Sequence, residues 1–164
     1  RLGILFLFEG GVRVPMLVKW PAMIEAGRVY DGVTSSLDVF PTLCNAAGVE
    51  LQADLLLDGV DLLPHLTGAA EQSPHETLVW SSGPNKAVRH QNWKLIKSGD
   101  STWLFDLTND IGEERNLKDS APCRVQELEA LLDKWQSEMS APAWPSKPQR
   151  RKVSIDVQAY EINI

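Results

Sequence analysis

The chain has 164 residues, of which 43% are hydrophobic and 23% charged, and its formal net charge is −6. This is the composition of an ordinary globular domain and excludes a disordered polypeptide. No apolar run reaches the roughly 18 residues that a membrane-spanning helix needs. The negative charge also disfavours nucleic acid as a partner, because phosphate binding requires a basic face.

The first segment predicts a turn followed by a strand. Residues 1–8 begin within an element and lack the cleavage site of a signal peptide, which suggests a piece of a longer protein. Two glycines then allow a tight turn. Residues 12–19 are apolar at most positions and predict a strand, which Pro15 restricts to a sheet edge or a bulge. We expect its neighbours to be missing or distant, because no other long strand in the chain is apolar on both faces.

Two short helices are predicted near residues 38–47 and 61–66. Asp38 can cap the first helix, and Gly48 is a fitting end for it. The same pattern of Asp, Pro and Gly recurs in the second helix, which ends before Gly68. We interpret this pattern as a capping device and not as a structural repeat.

Residues 78–117 predict three short strands in succession, over 78–80, 87–97 (interrupted by a turn at 90–92) and 102–107. The turns between them are short, so neighbouring strands should be antiparallel. The last strand alternates, which places Trp103 and Phe105 on one side and Leu104 and Asp106 on the other. Such a meander is marginal in water and needs a cover, to which the three tryptophans of this segment should contribute, namely Trp80, Trp93 and Trp103.

The cover is a predicted amphipathic helix over residues 122–139. Ser120 can cap it, and Pro122 suits its first turn. Apolar residues recur at steps of three and four and define a stripe that faces the core: Val125, Leu128, Leu132, Trp135 and Met139. The two cysteines, Cys44 and Cys123, lack metal-ligand spacing and are interpreted as small core residues on helices.

Residues 141–164 form a Pro-rich and basic tail. Val153, Ile155 and Val157 alternate with polar residues, which predicts one last strand that adds to a sheet edge or to a partner chain.

Short motifs spread along the chain carry a family resemblance. The most specific are Glu-Gly-Gly-Val-Arg-Val-Pro (9–15), Trp-Pro (20–21), Asp-x-x-Pro-Thr (38–42), Leu-Thr-Gly (66–68), Ala-Val-Arg (87–89), Trp-Lys-Leu (93–95) and Leu-Phe-Asp-Leu (104–107). In this order and spacing they resemble the C-terminal third of the arylsulfatase-type sulfatases, over roughly positions 3 to 145.

The resemblance implies a fold of the alkaline-phosphatase type, of mixed α/β and α+β class. Residues 1–70 would be the end of the large catalytic domain. Residues 75–140 would be a smaller C-terminal subdomain, in which a four-stranded antiparallel sheet packs against a long helix. Sulfatases cleave sulfate esters with a formylglycine, made from the Cys of a Cys-x-Pro-Ser-Arg motif, and with a divalent cation, usually calcium.

These catalytic parts are not recognisable in the chain. Two residues after Cys44, Ala46 stands where the motif has Pro, and Gly48 stands where the motif requires Arg. Ile4 occupies the position where the family usually places a sulfate-contacting Lys. We therefore nominate no catalytic residue and no metal ligand, and we expect this chain itself to bind no cofactor.

The resemblance leaves four polar residues as substrate-pocket or structural candidates: Glu9, Arg13, His75 and Arg89. Glu9 and Arg13 flank the predicted turn, where ion pairing or backbone hydrogen bonding is the favoured role. His75 matches a His often found in the family and is interpreted as structural.

Arg89 and Lys94 lie on adjacent predicted strands. The favoured role for both is packing and cross-strand pairing with Asp106 or Glu113.

Two hypotheses of different class follow. In the first, the chain is the C-terminal portion of a sulfuric ester hydrolase, completes the wall of the substrate pocket and is inactive alone. In the second, it is a stand-alone binding module that kept this sequence after losing the catalytic half. A parent that cleaves phosphate or phosphonate esters is a variant of the first.

The expected partners of the first hypothesis are the missing N-terminal catalytic domain and, through it, a sulfated small molecule or glycan. Neither nucleic acid nor a membrane is expected to bind, and a homo-oligomer stays open. A bacterial sulfatase would be periplasmic or secreted, although the two cysteines do not fix the compartment.

Overall fold

The computed structural model describes residues 7–140, 143, 150–155 and 158–163. Its contacts divide the chain into two compact units. One is the unit Met16–Glu76, and the other joins Arg1–Pro15 to Thr77–Ile164. The expected boundary at 70–75 lies close to Glu76, but the segment before Met16 groups with the later unit and not with residues 16–70.

The helices and strands follow one another in chain order. They are α1 (Glu9–Val12), a 3-10 turn (Ser36–Asp38), α2 (Val39–Ala46), α3 (Leu63–Thr67), β1 (Thr77–Ser82), β2 (Asn85–His90), β3 (Trp93–Ser98), β4 (Ser101–Asp106), α4 (Pro122–Glu138), β5 (Arg150–Ile155) and β6 (Gln158–Asn163). None of the helices in the described part is long and apolar enough to cross a membrane.

Strands β1 to β4 form one antiparallel sheet in sequence order, as the resemblance implied. The interrupted middle strand of the prediction is two strands, β2 and β3, because Gln91 adopts a left-handed backbone with φ of 53° and closes a tight turn. Short turns of this kind hold neighbouring strands antiparallel.

The alternation predicted for the last strand is confirmed, and each face of the sheet has its own cover. On one face, Val88, Leu95 and Leu104 pack against Leu128 and Leu132 of α4. We call this the α4 face.

The opposite side of the sheet is called the Phe8 face. There Phe8 lies across Trp103 and Phe105, with ring centroids 5.7 and 6.1 Å apart, and Ala87 and Ile96 complete the cluster. The sheet is therefore buried on both sides at its centre.

Helix α4 agrees with the predicted helix except at its two ends. Its N-cap residue is Ala121, and the Ser120 hydroxyl donates to the carbonyl of Leu117 instead, so the predicted Ser120 cap is wrong. Pro122 lies in the first turn, as expected. The helix ends at Glu138, and Met139, with an extended backbone, is 46% exposed and does not belong to the buried stripe.

The strand predicted over residues 12–19 is wrong. Val12 ends the short helix α1, and residues 13–19 carry no regular element. No strand of the described part lies alongside to exchange hydrogen bonds, and Pro15 has no N–H to offer. The apolar side chains that suggested burial are exposed, Leu17 to 97%.

In the Met16–Glu76 unit, helices α2 and α3 confirm the two predicted helices. The Asp38 cap is wrong in its details, because the Asp38 side chain does not cap α2. It accepts the N–H of Ser35 at 2.7 Å and so forms a capping box around the 3-10 turn that precedes α2.

The two cysteines lie on α2 and α4, as predicted, but their core role is not supported. Cys44 is half-buried and Cys123 is exposed. Cys123 follows Pro122 in the first turn of α4 and lies outside the apolar stripe.

The tail forms a hairpin and not one added strand. Strand β5 covers the predicted position, but β6 pairs with it in antiparallel register, with Val153 opposite Tyr160. Val157 and the Pro-rich run at 144–149 lie outside the described residues.

Candidate functional site

A buried ion cluster of Lys94, Glu9 and Glu113 is the densest group of charges in the described part of the chain; we call it the Lys94 cluster. The Lys94 side chain has no exposed surface. Its Nζ atom lies 2.8 Å from Glu9 Oε1 and 2.9 Å from Glu113 Oε1. The predicted pairing of Lys94 with Glu113 is confirmed, and Glu9 is an additional partner from a distant part of the chain.

Local structure explains how Glu9 reaches this cluster. Phe8 is 5% exposed and lies against Trp103 and Phe105, which anchors the chain just before α1. Glu9 is the first residue of α1, and its backbone N–H donates to Glu113 Oε2. The hydrophobic anchor and the charge that follows it thus fix the start of α1 on the sheet.

Glu113 arrives from the loop after β4. Its N–H donates to the carbonyl of Asp110 at 3.1 Å, while the carboxylate of Asp110 accepts the N–H groups of Glu114 and Arg115. Glu113 has a φ of 54°, in the left-handed region that favours glycine. A non-glycine residue holds this conformation at some energetic cost, so the loop is shaped to deliver the Glu113 carboxylate.

The cluster contains two buried acids and one buried base. Burial raises the pKa of the Glu113 carboxyl, and the positive charge of Lys94 and the backbone N–H of Glu9 oppose that rise. Glu113 Oε1 is close to Lys94 but is not aligned for a hydrogen bond, so we treat the contact as an ion pair. Glu9 Oε2 makes no hydrogen bond with the described residues and has Arg13 Nη1 at 3.9 Å.

Arg13 and Arg89 lie beside the Lys94 cluster. The Arg13 side chain is 60% exposed, and its long contact with Glu9 agrees with the predicted ion pairing. Arg89 is half-buried on β2, directly opposite Lys94 in the β2–β3 register, so both project from the Phe8 face.

Arg89 does not make the predicted pairing with an acid. Its Nε–H donates to the carbonyl of Gln91 at 2.8 Å. Asp106 instead accepts hydrogen bonds from Thr108 and Asn109 of its own turn. Burial lowers the pKa of Arg89, the charge of Glu9 opposes this, and the charge of Arg13 adds to it.

His75 belongs to the Met16–Glu76 unit and has a different environment. Its Nε2 atom lies 2.7 Å from Asp38 Oδ1, and its side chain is 9% exposed. The Asp38 carboxylate is fully buried and also accepts the N–H groups of Ser35 and Val60. Asp38 therefore joins three segments of its unit, a role that its position at a helix start did not reveal.

The metal that the resemblance implies does not fit the residues described here. Within the described ranges, no three His, Cys, Asp or Glu side chains come together as metal ligands. The two buried acids nearest one another, Glu9 and Glu113, share the ammonium group of Lys94 instead. This arrangement places an ammonium group between the two carboxylates, where calcium would need oxygen ligands around a vacant centre.

The Met16–Glu76 unit also contains an open cleft of about 620 Å³, lined in part by Pro41, Val49 and Leu57. Two of its polar side chains bond to each other, since the Asn45 side-chain amide donates to Asp61 at 2.6 Å.

Comparisons with known proteins identify the class of protein to which the chain belongs. An antiparallel four-stranded sheet on a long helix, as observed here, belongs to the sulfatase fold of alkaline-phosphatase-like type. Residues 4–140 match the family described as N-sulphoglucosamine sulphohydrolase, C-terminal. The chain belongs to this family of sulfatase C-terminal domains.

Relatives of known name are sulfatases of much greater length. Steryl-sulfatase of Mus musculus is 37% identical over a match that covers 77% of this chain and 26% of the relative. Arylsulfatase A of Bos taurus is 34% identical over a match that covers 76% of this chain and 30% of the relative. The chain thus spans about a third or less of the relatives that it matches.

Comparison with solved structures supports the same fold. The crystal structure of Ps i-CgsB superposes with a TM-score of 0.72 at 28% identity and covers 84% of this chain and 32% of that one. BT4656, solved in complex with its substrate D-glucosamine-2-N,6-O-disulfate, has a TM-score of 0.58 at 25% identity and covers 73% of this chain and 27% of its own.

Proposed function

We propose that the chain is the C-terminal part of an arylsulfatase-like sulfuric ester hydrolase. In this proposal it completes the fold and one wall of the substrate pocket, while the formylglycine and the divalent cation belong to residues outside the chain. The substrate of the whole enzyme would be a sulfated small molecule or glycan, as the named substrate of BT4656 suggests.

The observation that carries the proposal is the apolar surface of the Met16–Glu76 unit. Among the described residues, the buried apolar side chains of this unit are Pro41, Leu62 and Leu66 alone. Most of the large apolar side chains that are exposed in the described part belong to it, including Leu17 and Leu56, each 97% exposed. Exposed apolar surface on this scale is typical of an interface, and the unmatched length of the relatives supplies a body to cover it.

The Lys94 cluster fits the same proposal. A buried ion group adds little net stability over an apolar core, but it specifies one arrangement of the groups that it joins. Here it fixes the start of α1, and hence the position of Arg13, on the sheet. This is the arrangement expected of a pocket wall whose polar groups must keep their places.

The test is the coding DNA upstream of the codon for Arg1. We expect an open frame that continues upstream and encodes a Cys-x-Pro-Ser-Arg motif, and we expect its complete product to release sulfate from an aryl sulfate ester. The purified 164-residue chain should release none above background. A stop codon followed by a new start site, or metal-dependent hydrolysis by the chain alone, would contradict the proposal.

A further inference from the structure

We propose that Arg13, Arg89 and the ring of Trp80 form a binding surface for the sulfate group of a sugar-sized ligand. The choice of sulfate among the oxyanions rests on the function proposed above. The location of the surface rests on the charges and contacts of the Phe8 face.

The acids nearest this surface are already neutralised. Glu9 Oε1 lies 2.8 Å from Lys94 Nζ, whereas the Arg13 guanidinium is 3.9 Å from the other oxygen of Glu9. Lys94 is therefore the main counter-charge of Glu9. The Arg13 side chain is 60% exposed and keeps most of its N–H groups directed to solvent.

Arg89 is the more rigid of the two cations. Its Nε–H is held by the Gln91 carbonyl at 2.8 Å, and the side chain is half-buried on a central strand. A guanidinium that has lost part of its water shell binds an oxyanion more strongly than an exposed one, because less water is displaced and the local dielectric is lower. Burial lowers the pKa of Arg89, the charge of Glu9 raises it and the charge of Arg13 lowers it, which places both of these groups near Arg89.

Trp80 supplies an apolar wall next to the cations. It pairs with Ala87 in the β1–β2 register, and Ala87 lies two residues before Arg89 on the same side of β2. The ring is half-buried, with Lys94 Nζ 5.8 Å from its centroid. A partly exposed indole beside two guanidinium groups suits a sugar that carries sulfate, since the ring covers C–H groups while the arginines bind oxygens.

The local charge contrasts with that of the whole chain. Arg13, Arg89 and Lys94 are three cations against two acids, Glu9 and Glu113, in a chain whose net charge is −6. A net positive spot on an acidic chain favours an anionic ligand at this position over the surrounding surface.

The experiment is an NMR titration of the full 164-residue chain with sodium sulfate at constant ionic strength, followed through the indole and guanidinium N–H signals. The titration is repeated with a sulfated monosaccharide and with the same sugar lacking sulfate. Saturable shifts of the Trp80 and Arg89 signals are expected with the two sulfate compounds and not with the unsulfated sugar.

Three variants locate the binding. Arg89→Gln should weaken sulfate binding about tenfold, as expected for the loss of charge-assisted hydrogen bonds. Arg89→Lys should recover only part of the loss, because an ammonium lacks the planar fork. The matched control is Arg124→Gln, which removes the same charge from an exposed pair with Glu127 on α4 and should change the binding less than about twofold.

Two results would overturn the proposal. One is equal weakening by Arg89→Gln and Arg124→Gln, which would mean that only the overall charge matters. The other is the absence of saturable binding by the unaltered chain. Arg13→Gln, at an exposed position, gives a second variant in case Arg89→Gln lowers the thermal unfolding midpoint. A chain that fails to bind sulfate although its upstream DNA encodes Cys-x-Pro-Ser-Arg would contradict this surface and leave the proposed function intact.

Discussion

The unit built on the β1–β4 sheet and the Met16–Glu76 unit differ in where they place their apolar side chains. The sheet is covered on both faces, and Trp103, Leu104 and Phe105 of one strand are fully buried. The Met16–Glu76 unit leaves Leu17 and Leu56 almost fully exposed. The sheet unit buries its apolar side chains in a core of its own. The Met16–Glu76 unit is also rich in apolar side chains, but most of them are exposed.

The difference teaches that hydrophobic sequence and hydrophobic core are separate properties. Residues 13–19 are apolar enough to predict a buried strand, yet they form no regular element among the described residues. In the Met16–Glu76 unit, Asp38 makes buried polar contacts with Ser35, Val60 and His75, whereas the sheet unit combines packing on two faces with the Lys94 cluster. The comparison therefore predicts unequal responses to substitution.

The largest effect is expected for Lys94→Met, which leaves two buried carboxylates without their counter-charge. Breaking a buried ion group in this way costs about 3–5 kcal/mol of unfolding free energy. Urea unfolding of the chain, monitored by tryptophan fluorescence, measures this loss.

Lys97→Met is the matched control on the same strand. Lys97 pairs with Glu129 at 2.6 Å, but both side chains are about one-third exposed, at 39% and 34%. The loss should stay below about 1 kcal/mol. Equal losses for the two lysines would show that the Lys94 cluster has no special role.

The next effect compares two leucines of the Met16–Glu76 unit. Leu62 is 1% exposed and Leu56 is 97% exposed. Leu62→Ala should cost about 2–5 kcal/mol, and Leu56→Ala should change stability by less than about 0.5 kcal/mol. Native-state hydrogen exchange within this unit measures both changes.

The contrast between the units fails if Leu56→Ala is as destabilising as Leu62→Ala, since Leu56 would then belong to a closed core. A fall in the binding of a hydrophobic dye on Leu56→Ala, without loss of stability, would agree with an uncovered apolar surface.

A smaller effect is expected for Asp38→Asn. The two carboxylate oxygens accept from Ser35, Val60 and His75, and the amide keeps only one accepting oxygen. A loss of about 1–3 kcal/mol follows from the donors left unsatisfied. Amide exchange should quicken in the Met16–Glu76 unit and stay unchanged in β3.

Asp61→Asn serves as the control for Asp38→Asn, because Asp61 is less buried and its partners, Asn45 and Leu63, are close to solvent. Faster exchange in β3 on Asp38→Asn would contradict this prediction.

The smallest effect is a pH dependence. The folded chain raises the pKa of Glu113 above its ordinary value of 4.5, so the protonated carboxyl is favoured in the folded state. The corresponding stability is fully present below pH 4.5 and is lost as the pH rises through the raised value. Glu113→Gln should flatten this part of the curve of unfolding free energy against pH.

Asp106 should contribute to the pH dependence of stability with the opposite sign. Hydrogen bonds from Asn109 and Thr108 lower its pKa below the ordinary 3.8, so its contribution is present above that value and is lost as the pH falls through the lowered one. Asp106→Asn should leave the slope above pH 4.5 unchanged. An unchanged slope in Glu113→Gln would show that other groups produce it.

Much of the sheet unit was predictable from sequence because its signals are local. Alternation along β4 placed Trp103 and Phe105 on one face and Leu104 on the other, and the three- and four-residue steps of α4 placed Leu128 and Leu132 in the core. Such patterns depend on the period of the element alone. Helix caps were less predictable, because Ser120 and Asp38 found other partners nearby.

The candidate site was predictable only in part. Arg89 and Lys94 were expected on adjacent strands, and the Lys94–Glu113 contact was expected as well. The contact of Glu9 with Lys94 was not expected, because the two residues are 85 positions apart in the sequence. The roles of Glu9, Arg13, His75 and Arg89 toward a substrate stay predictions.

The left-handed backbone of Glu113 restricts what can replace this residue. Glycine would relax the main chain but remove the carboxylate, whereas glutamine would keep the backbone cost and neutralise the side chain. The backbone at this position favours glycine, while the ion pair with Lys94 requires a carboxylate. A saturation library at this position should separate variants that relax the main chain, such as glycine, from variants that keep the charge balance of the Lys94 cluster.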